Sequence, residues 1–209
     1  MDEYIKKTIA AYNASPQKYA EKTQSLTPHP EIEEFLSDIS KNGTILDAGC
    51  ANGRDTQFFV DQGFKVVGID LSEELIKIAK RTISDAEFRL MDLRKLEFSD
   101  NYFDGIWCNA TLHHLNIEDS KKALNEFCRV LKPRGKLFIS VKEGQGSEDL
   151  LETFSSDNSR FYMYQTIESL EGLLLGAKLN PIKTHVINEK EKFGKDTRDL
   201  NWVNSYSMK

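Results

Sequence analysis

Apolar residues along this chain come in short runs bounded by turn residues. Thr44–Ala48, Phe64–Asp70, Glu87–Met91, Asp104–Cys108 and Lys136–Val141 each read as a strand. Helical patterns separate several of these runs. Ser72 is placed to cap a helix whose first turn holds Glu73 and Glu74, with Leu75, Ile76 and Ala79 on one face. Before the fifth run, Leu124, Phe127, Cys128 and Leu131 follow i, i+3, i+4, i+7 spacing, and Lys132-Pro133-Arg134-Gly135 ends that helix. Strands that are apolar nearly throughout, joined by helices, predict an α/β fold with a doubly wound parallel sheet, helices on both faces and right-handed crossovers.

The length of 209 residues, with no break in composition, fits one main core. Apolar residues at 39% and charged residues at 29% exclude global disorder, and a net charge of -5 gives no long-range attraction to nucleic acid or anionic lipid. Cys50, Cys108 and Cys128 form no CxxC pair and read as reduced, mostly buried thiols. The first residues, Met1 to Lys7, carry no secretory apolar region, and no run reaches a bilayer-spanning length, so a cytoplasmic location is expected. His29 and His185 have no partner in sequence, no metal-ligand spacing such as HExxH occurs, and no metal is expected.

In doubly wound sheets ligands bind beyond the carboxyl ends of the strands, where this chain places Asp47, Asp70, Asp92, Asn109 and Lys142. Turn chemistry alone accounts for any one of them, but less readily for the set. The loop Asp47-Ala48-Gly49-Cys50-Ala51-Asn52-Gly53-Arg54 lets backbone approach a ligand closely. A dinucleotide fingerprint counted from Gly49 would need glycine where Ala51 and Arg54 stand, and no Gly-Lys-Ser/Thr follows for a nucleotide triphosphate. Asp47 repels a pyrophosphate and favours an ammonium group. Asp70, 21 positions beyond Gly49, stands where an acidic side chain accepts from ribose hydroxyls, and Asp92 between Met91 and Leu93 suits an adenine amine. The expected ligand is an adenosine that carries an amine and no diphosphate.

Five segments carry a resemblance: Ile45 to Arg54, Val67-Gly68-Ile69-Asp70-Leu71-Ser72, Met91-Asp92-Leu93, Phe103 to Trp107, and Arg129 to Leu137. Together, over about 41–142, they resemble the class I S-adenosylmethionine-dependent methyltransferases. The resemblance implies a Rossmann-like seven-stranded sheet of order 3-2-1-4-5-7-6 with an antiparallel last strand, Thr184–Asn188 and Trp202–Met208 being the candidate final pair. It implies S-adenosyl-L-methionine as cofactor and S-adenosyl-L-homocysteine as product. Asp47, Gly49, Ala51 and Gly53 would face the methionine part, Asp70 the ribose, Asp92 and Leu93 the adenine, and Asn109 would lie beside the cofactor near the methyl group; Leu71 is also expected to bind the cofactor. Ala51 stands where such proteins usually have glycine. Segments after 142, including Ser159-Arg160-Phe161-Tyr162 and Arg198 with Trp202, look like small bacterial methyltransferases of unassigned substrate, loosely called tellurite-resistance-like.

In similar enzymes the N-terminal segment closes over the cofactor. Residues 1–40 are accordingly expected as a helical lid on a domain of 41–209, with Tyr12 and Tyr19 at the methionine carboxylate and sulfonium; aromatic packing of an amphipathic helix is the competing reading. His113 and His114 are candidate general bases, or packing residues over the sheet edge. Lys142, Arg160 and Arg198 suggest an anionic small-molecule acceptor, unless they are solvated loop charges. Methylation of RNA or protein is the second reading, although Lys183, Lys190, Lys192 and Lys195 are interleaved with Glu189, Glu191 and Asp196. A non-catalytic cofactor-binding protein, motivated by Ala51 and the lack of a clear base, is the third.

Overall fold

A computed structural model describes residues 1–24, 31–151, 158–193 and 199–209. His29 and Arg198 lie outside the described residues. The first five strands are β1 (Thr44–Ala48), β2 (Lys65–Asp70), β3 (Glu87–Leu90), β4 (Phe103–Asn109) and β5 (Leu131–Lys142), all parallel. β5 starts earlier than its apolar run. Its register on β4 jumps from Phe103↔Leu131 to Gly105↔Lys136, so Lys132-Pro133-Arg134-Gly135 is an excursion between two paired stretches.

Beyond β5 come a hairpin of β6 (Ser147–Leu151) and β7 (Ser159–Met163), then β8 (Asn180–Asn188) and β9 (Asn201–Met208). The seven-stranded sheet has the order β3-β2-β1-β4-β5-β9-β8, with β9 antiparallel to both neighbours. The expected order 3-2-1-4-5-7-6 therefore differs in its last labels. Two unforeseen strands, β6 and β7, pair with each other outside the sheet.

Helices α3 (Ile32–Leu36), α4 (Arg54–Asp61) and α5 (Glu73–Thr82) follow helices α1 (Glu3–Asn13) and α2 (Pro16–Gln24); α6 (Ile117–Val130), α7 (Ile167–Gly176) and the short α8 (Glu189–Phe193) complete the set. Alternate residues of each strand face opposite layers. Ile45, Val66, Trp107, Phe138 and Tyr206 pack with Phe35 of α3 and Phe59 of α4. Leu46, Val67, Ile106, Leu137, Ile139 and Val203 pack with Leu124 and Phe127 of α6 and Leu170 and Leu174 of α7. Burial on both faces is why these strands read as continuous apolar runs.

Ser72 caps α5 by accepting from Leu75 N at 3.3 Å, as its sequence position predicts. Asn116 caps α6 by accepting from Asp119 N at 2.8 Å. Cys50 and Cys108 are buried, whereas Cys128 is half-buried and Leu131 belongs to β5 rather than to the helix. No helix among the described residues is long and apolar enough to cross a membrane.

Candidate functional site

The chain reverses at the carboxyl end of β1 through a loop tied to its neighbour. Gly49 N and Cys50 N both donate to Ile69 O, at 2.8 and 2.9 Å. Gly49 has φ 88°, and a Cβ there would lie 2.1 Å from Thr111 Oγ1, so only glycine fits against the segment after β4. Ala51 also takes a left-handed conformation, φ 49°, and its methyl packs with Ala20 of α2 and Leu75 and Ile78 of α5. Asp70 at the end of β2 fixes this turn: Oδ2 accepts from Ala51 N at 3.0 Å and Oδ1 from Ser72 N at 2.8 Å. Burial raises the Asp70 pKa, against the lowering by the Ser72, Ala51 and Leu71 backbone N–H groups. A carboxylate offers about four acceptor positions, so Asp70 keeps at least one for a ligand hydroxyl.

Behind the loop sit two buried carboxylates. Asp47 accepts from Thr56 Oγ1 at 2.6 Å. Asp55, in the first turn of α4, is held by Arg54 Nε and Nη2 at 2.7 and 3.0 Å, by Trp107 Nε1 at 2.9 Å and by Asn109 Nδ2 at 3.1 Å. Burial, and then the neighbouring Asp55 charge, push the Asp47 pKa up to about 8. Asp55 is held below the usual carboxylate range; its burial acts the other way but is outweighed by Arg54, Trp107 and Asn109. Asp47 therefore carries the proton near neutrality and Asp55 the charge. An unfolded Asp titrates near ~3.9, so the Asp47 contribution to stability is fully present below that pH and lost as pH rises through about 8. Asp47→Asn, which mimics the protonated form, is expected to gain melting temperature over the wild type progressively across this range. Parallel pH profiles that do not diverge would contradict the assignment.

Asp55 is the residue that sequence reading missed. An acid in the first turn of a helix has an ordinary dipole explanation, and nothing local shows Trp107 and Asn109 converging on it. Asn109, expected beside a methyl group, donates to Asp55 instead.

Asp92, expected at an adenine amine, has both oxygens engaged by Arg94: Nε reaches Oδ1 at 3.1 Å and Nη2 reaches Oδ2 at 2.7 Å. An adenine amine there would have to share the carboxylate with this ion pair. Arg94 Nη1 also bonds Asp2 and Asp119, each at 2.8 Å, and Tyr4 Oη bonds Asp119. α1 is thus pinned to the loop after β3. Asp119 is held at about 2: burial raises it, while Lys122, Tyr4 and Arg94 lower it by more. Arg94→Met leaves Asp119 buried without this cation and is expected to cost about 3 kcal/mol. Urea unfolding with an unchanged midpoint would contradict the role of this network. Leu93 is buried and Leu71 packs against the main core.

The N-terminal helices and the hairpin meet at the turn Leu112–His114 after β4. Tyr12 and Tyr19 pack edge to face with centroids 5.3 Å apart, and Thr23 Oγ1 donates to Asn52 Oδ1 at 3.0 Å. Tyr12 Oη lies 2.8 Å from His114 Nε2, and His114 Nδ1 lies 2.7 Å from Phe161 O of β7. A carbonyl only accepts, so Nδ1 carries the proton and Nε2 of the neutral ring accepts from the Tyr12 hydroxyl. The hydroxyl expected at a methionine carboxylate is thus engaged by His114. His113 is buried, and its Nδ1 accepts from Lys142 N at 3.3 Å. Lys142 Nζ lies 3.5 Å from the centroid of Tyr162, and Arg160 stacks over Tyr12 at 4.0 Å. The structure therefore gathers Tyr12, Tyr19, His113, His114, Lys142 and Arg160 into one connected patch. Among the described residues, no His, Cys, Asp and Glu side chains group as a metal site would require.

Residues 46–139 match the family model described as Methyltransferase domain. The match runs from within β1 to within β5. The chain is 36% identical over 96 residues to a demethylmenaquinone methyltransferase of Renibacterium salmoninarum, covering 46% of this chain and 40% of that protein. It is 33% identical over 125 residues to a tRNA (carboxymethyluridine(34)-5-O)-methyltransferase of Arabidopsis thaliana, covering 59% and 30%. The chain thus spans less than half the length of these relatives. A solved structure of a Burkholderia thailandensis 1,6-didemethyltoxoflavin-N1-methyltransferase, with its named compound and S-adenosylhomocysteine bound, superposes with TM-score 0.78 at 23% identity, covering 99% of this chain and 89% of that one. The methyltransferase fold extends over the whole sheet and includes β8 and β9.

Proposed function

We propose that this protein is an S-adenosylmethionine-dependent methyltransferase acting on a small molecule. The observation that carries the reading is the strand-end loop at Asp70, where a carboxylate with a spare acceptor position holds a loop kept in left-handed conformations at Gly49, Ala51 and Gly53. These residues fit the cofactor. Asp70 would take the ribose hydroxyls, and Asp47, protonated near neutrality without a ligand, would ionise on facing the methionine ammonium. When bound, the cofactor supplies a methyl group activated by its sulfonium. The chain supplies orientation and exclusion of water, which serve an in-line displacement.

Enclosure favours a small acceptor. α1 and the β6–β7 hairpin are joined over the strand ends by Tyr12–His114, His114–Phe161 and Phe161 N to Thr8 Oγ1 at 3.1 Å. Buried Lys142 and Arg160 in this patch favour an acceptor carrying negative charge. An RNA-binding face would need a field of unpaired cations. Here Lys183 pairs with Glu34, Lys136 with Asp38, Lys132 with Asp104 and Lys190 with Asp199. The expectation of a subtype akin to small bacterial methyltransferases of unassigned substrate belongs to this same reading.

The test uses purified protein, methyl-labelled S-adenosylmethionine and fractionated cell extract, with and without RNase. Label in the low-molecular-weight fraction is expected. Label in RNA or protein would replace the small acceptor with a macromolecule, and cofactor retention without any label would favour a non-catalytic role.

A further inference from the structure

Arg160 is more deeply buried than any other arginine among the described residues, at 6% exposure. Its Nε is buried and has no hydrogen-bond partner. Its guanidinium carbon lies over the Tyr12 ring, 4.0 Å from the centroid, and 5.8 Å from the Tyr19 centroid. Its side chain also hydrogen-bonds Tyr162, and no carboxylate among the described residues pairs with it.

Three other arginines show what this edge of the group does elsewhere in the protein. Arg54 presents Nε and Nη2 to Asp55 at 2.7 and 3.0 Å, Arg94 presents them to Asp92 at 3.1 and 2.7 Å, and Arg129 to Glu126 at 2.7 and 2.8 Å. Each is a side-on, two-bond carboxylate pair. Arg160 is buried further than all three without such a pair. Stacking on a ring offsets only part of the cost of burying a charge, and leaves Nε unsatisfied. Stacking also fixes the plane of the Nε edge.

We infer that Arg160 is a carboxylate-binding fork: its aromatic support on Tyr12 and Tyr19 holds the Nε edge ready for a ligand carboxylate. The inference rests on the crevice being a cofactor and acceptor site. Two sources could supply the group, the amino-acid part of the cofactor or the methyl acceptor.

The test compares wild type, Arg160→Gln and Arg160→Lys, each checked for an unchanged circular dichroism spectrum and melting temperature. Titration calorimetry is run with S-adenosylhomocysteine and with its decarboxylated analogue. Acetate, butyrate and benzoate, with benzamide as a neutral control, are then titrated into free protein and into the S-adenosylhomocysteine complex. If the cofactor supplies the carboxylate, Arg160→Gln weakens S-adenosylhomocysteine by about 10- to 100-fold and leaves the decarboxylated analogue unchanged. If the acceptor supplies it, S-adenosylhomocysteine binds as before, while a carboxylate probe that binds wild type loses about as much in Arg160→Gln and benzamide never binds. Arg160→Lys, which keeps the charge without the fork, falls between in either case. The inference is overturned if no carboxylate probe depends on Arg160 and both cofactor analogues respond equally. Failure of wild type to bind S-adenosylhomocysteine would instead overturn the cofactor reading, and the probes on free protein would still report on Arg160.

Discussion

Gly49→Ala is expected to lose about 3 kcal/mol of stability and about 6–12 °C in melting temperature, with S-adenosylhomocysteine binding lost as well. Two physical costs combine. The residue sits at φ 88°, where a side chain is strained, and its Cβ would fall 2.1 Å from Thr111 Oγ1 and 2.2 Å from Thr111 Cγ2. Thr111 belongs to the segment linking β4 to the short turn Leu112–His114, so it has little room to retreat. Thr111→Gly removes every atom of the clash. In that background Gly49→Ala should recover part of the loss, and the remainder measures the backbone strain alone. An alanine variant that melts with the wild type would show that the loop does not hold this shape.

The second large effect concerns affinity. Asp70→Ala is expected to weaken S-adenosylhomocysteine by about 100-fold or more, since the ligand loses charge-assisted acceptors and the loop loses the anchor for Ala51 N and Ser72 N. Asp70→Asn keeps the shape and one acceptor oxygen, so its affinity should lie between the two. Because Asp70 holds protein N–H groups as well as the expected hydroxyls, 5′-methylthioadenosine is the useful second ligand. It retains the ribose and lacks the amino acid, and it should lose as large a factor. Affinity within about two-fold of wild type for both ligands would remove Asp70 from the site.

Much of the frame was legible because it depends on local pattern. Ile45 and Leu46, Trp107 and Cys108, and Phe138 and Ile139 alternate between two buried faces, and such strands announce a sheet covered on both sides. The place of Asp70 at the end of β2 was legible because strand ends follow from the same pattern. The hairpin was not: Ser147-Glu148-Asp149-Leu150-Leu151 has an exposed, largely polar surface and no alternation to mark it as a strand. Long-range pairs were hidden for a different reason. Thr111 against Gly49, Trp107 on Asp55 and Tyr12 on His114 are contacts that only the assembled sheet creates. Asp92 shows a partner that the sequence did not announce. Its position suggested an adenine contact, but Arg94, two residues on, claims its carboxylate and ties it to α1.

The central claim is that the crevice between the ends of β1 and β2 takes an adenosine bearing an amino acid. A crystal structure grown with S-adenosylhomocysteine, followed by a competition soak in NADH, tests it most directly. The account predicts the nucleoside in that crevice with both ribose hydroxyls on Asp70 and its ammonium toward Asp47, undisplaced by NADH. An empty crevice, or NADH in its place, would contradict it.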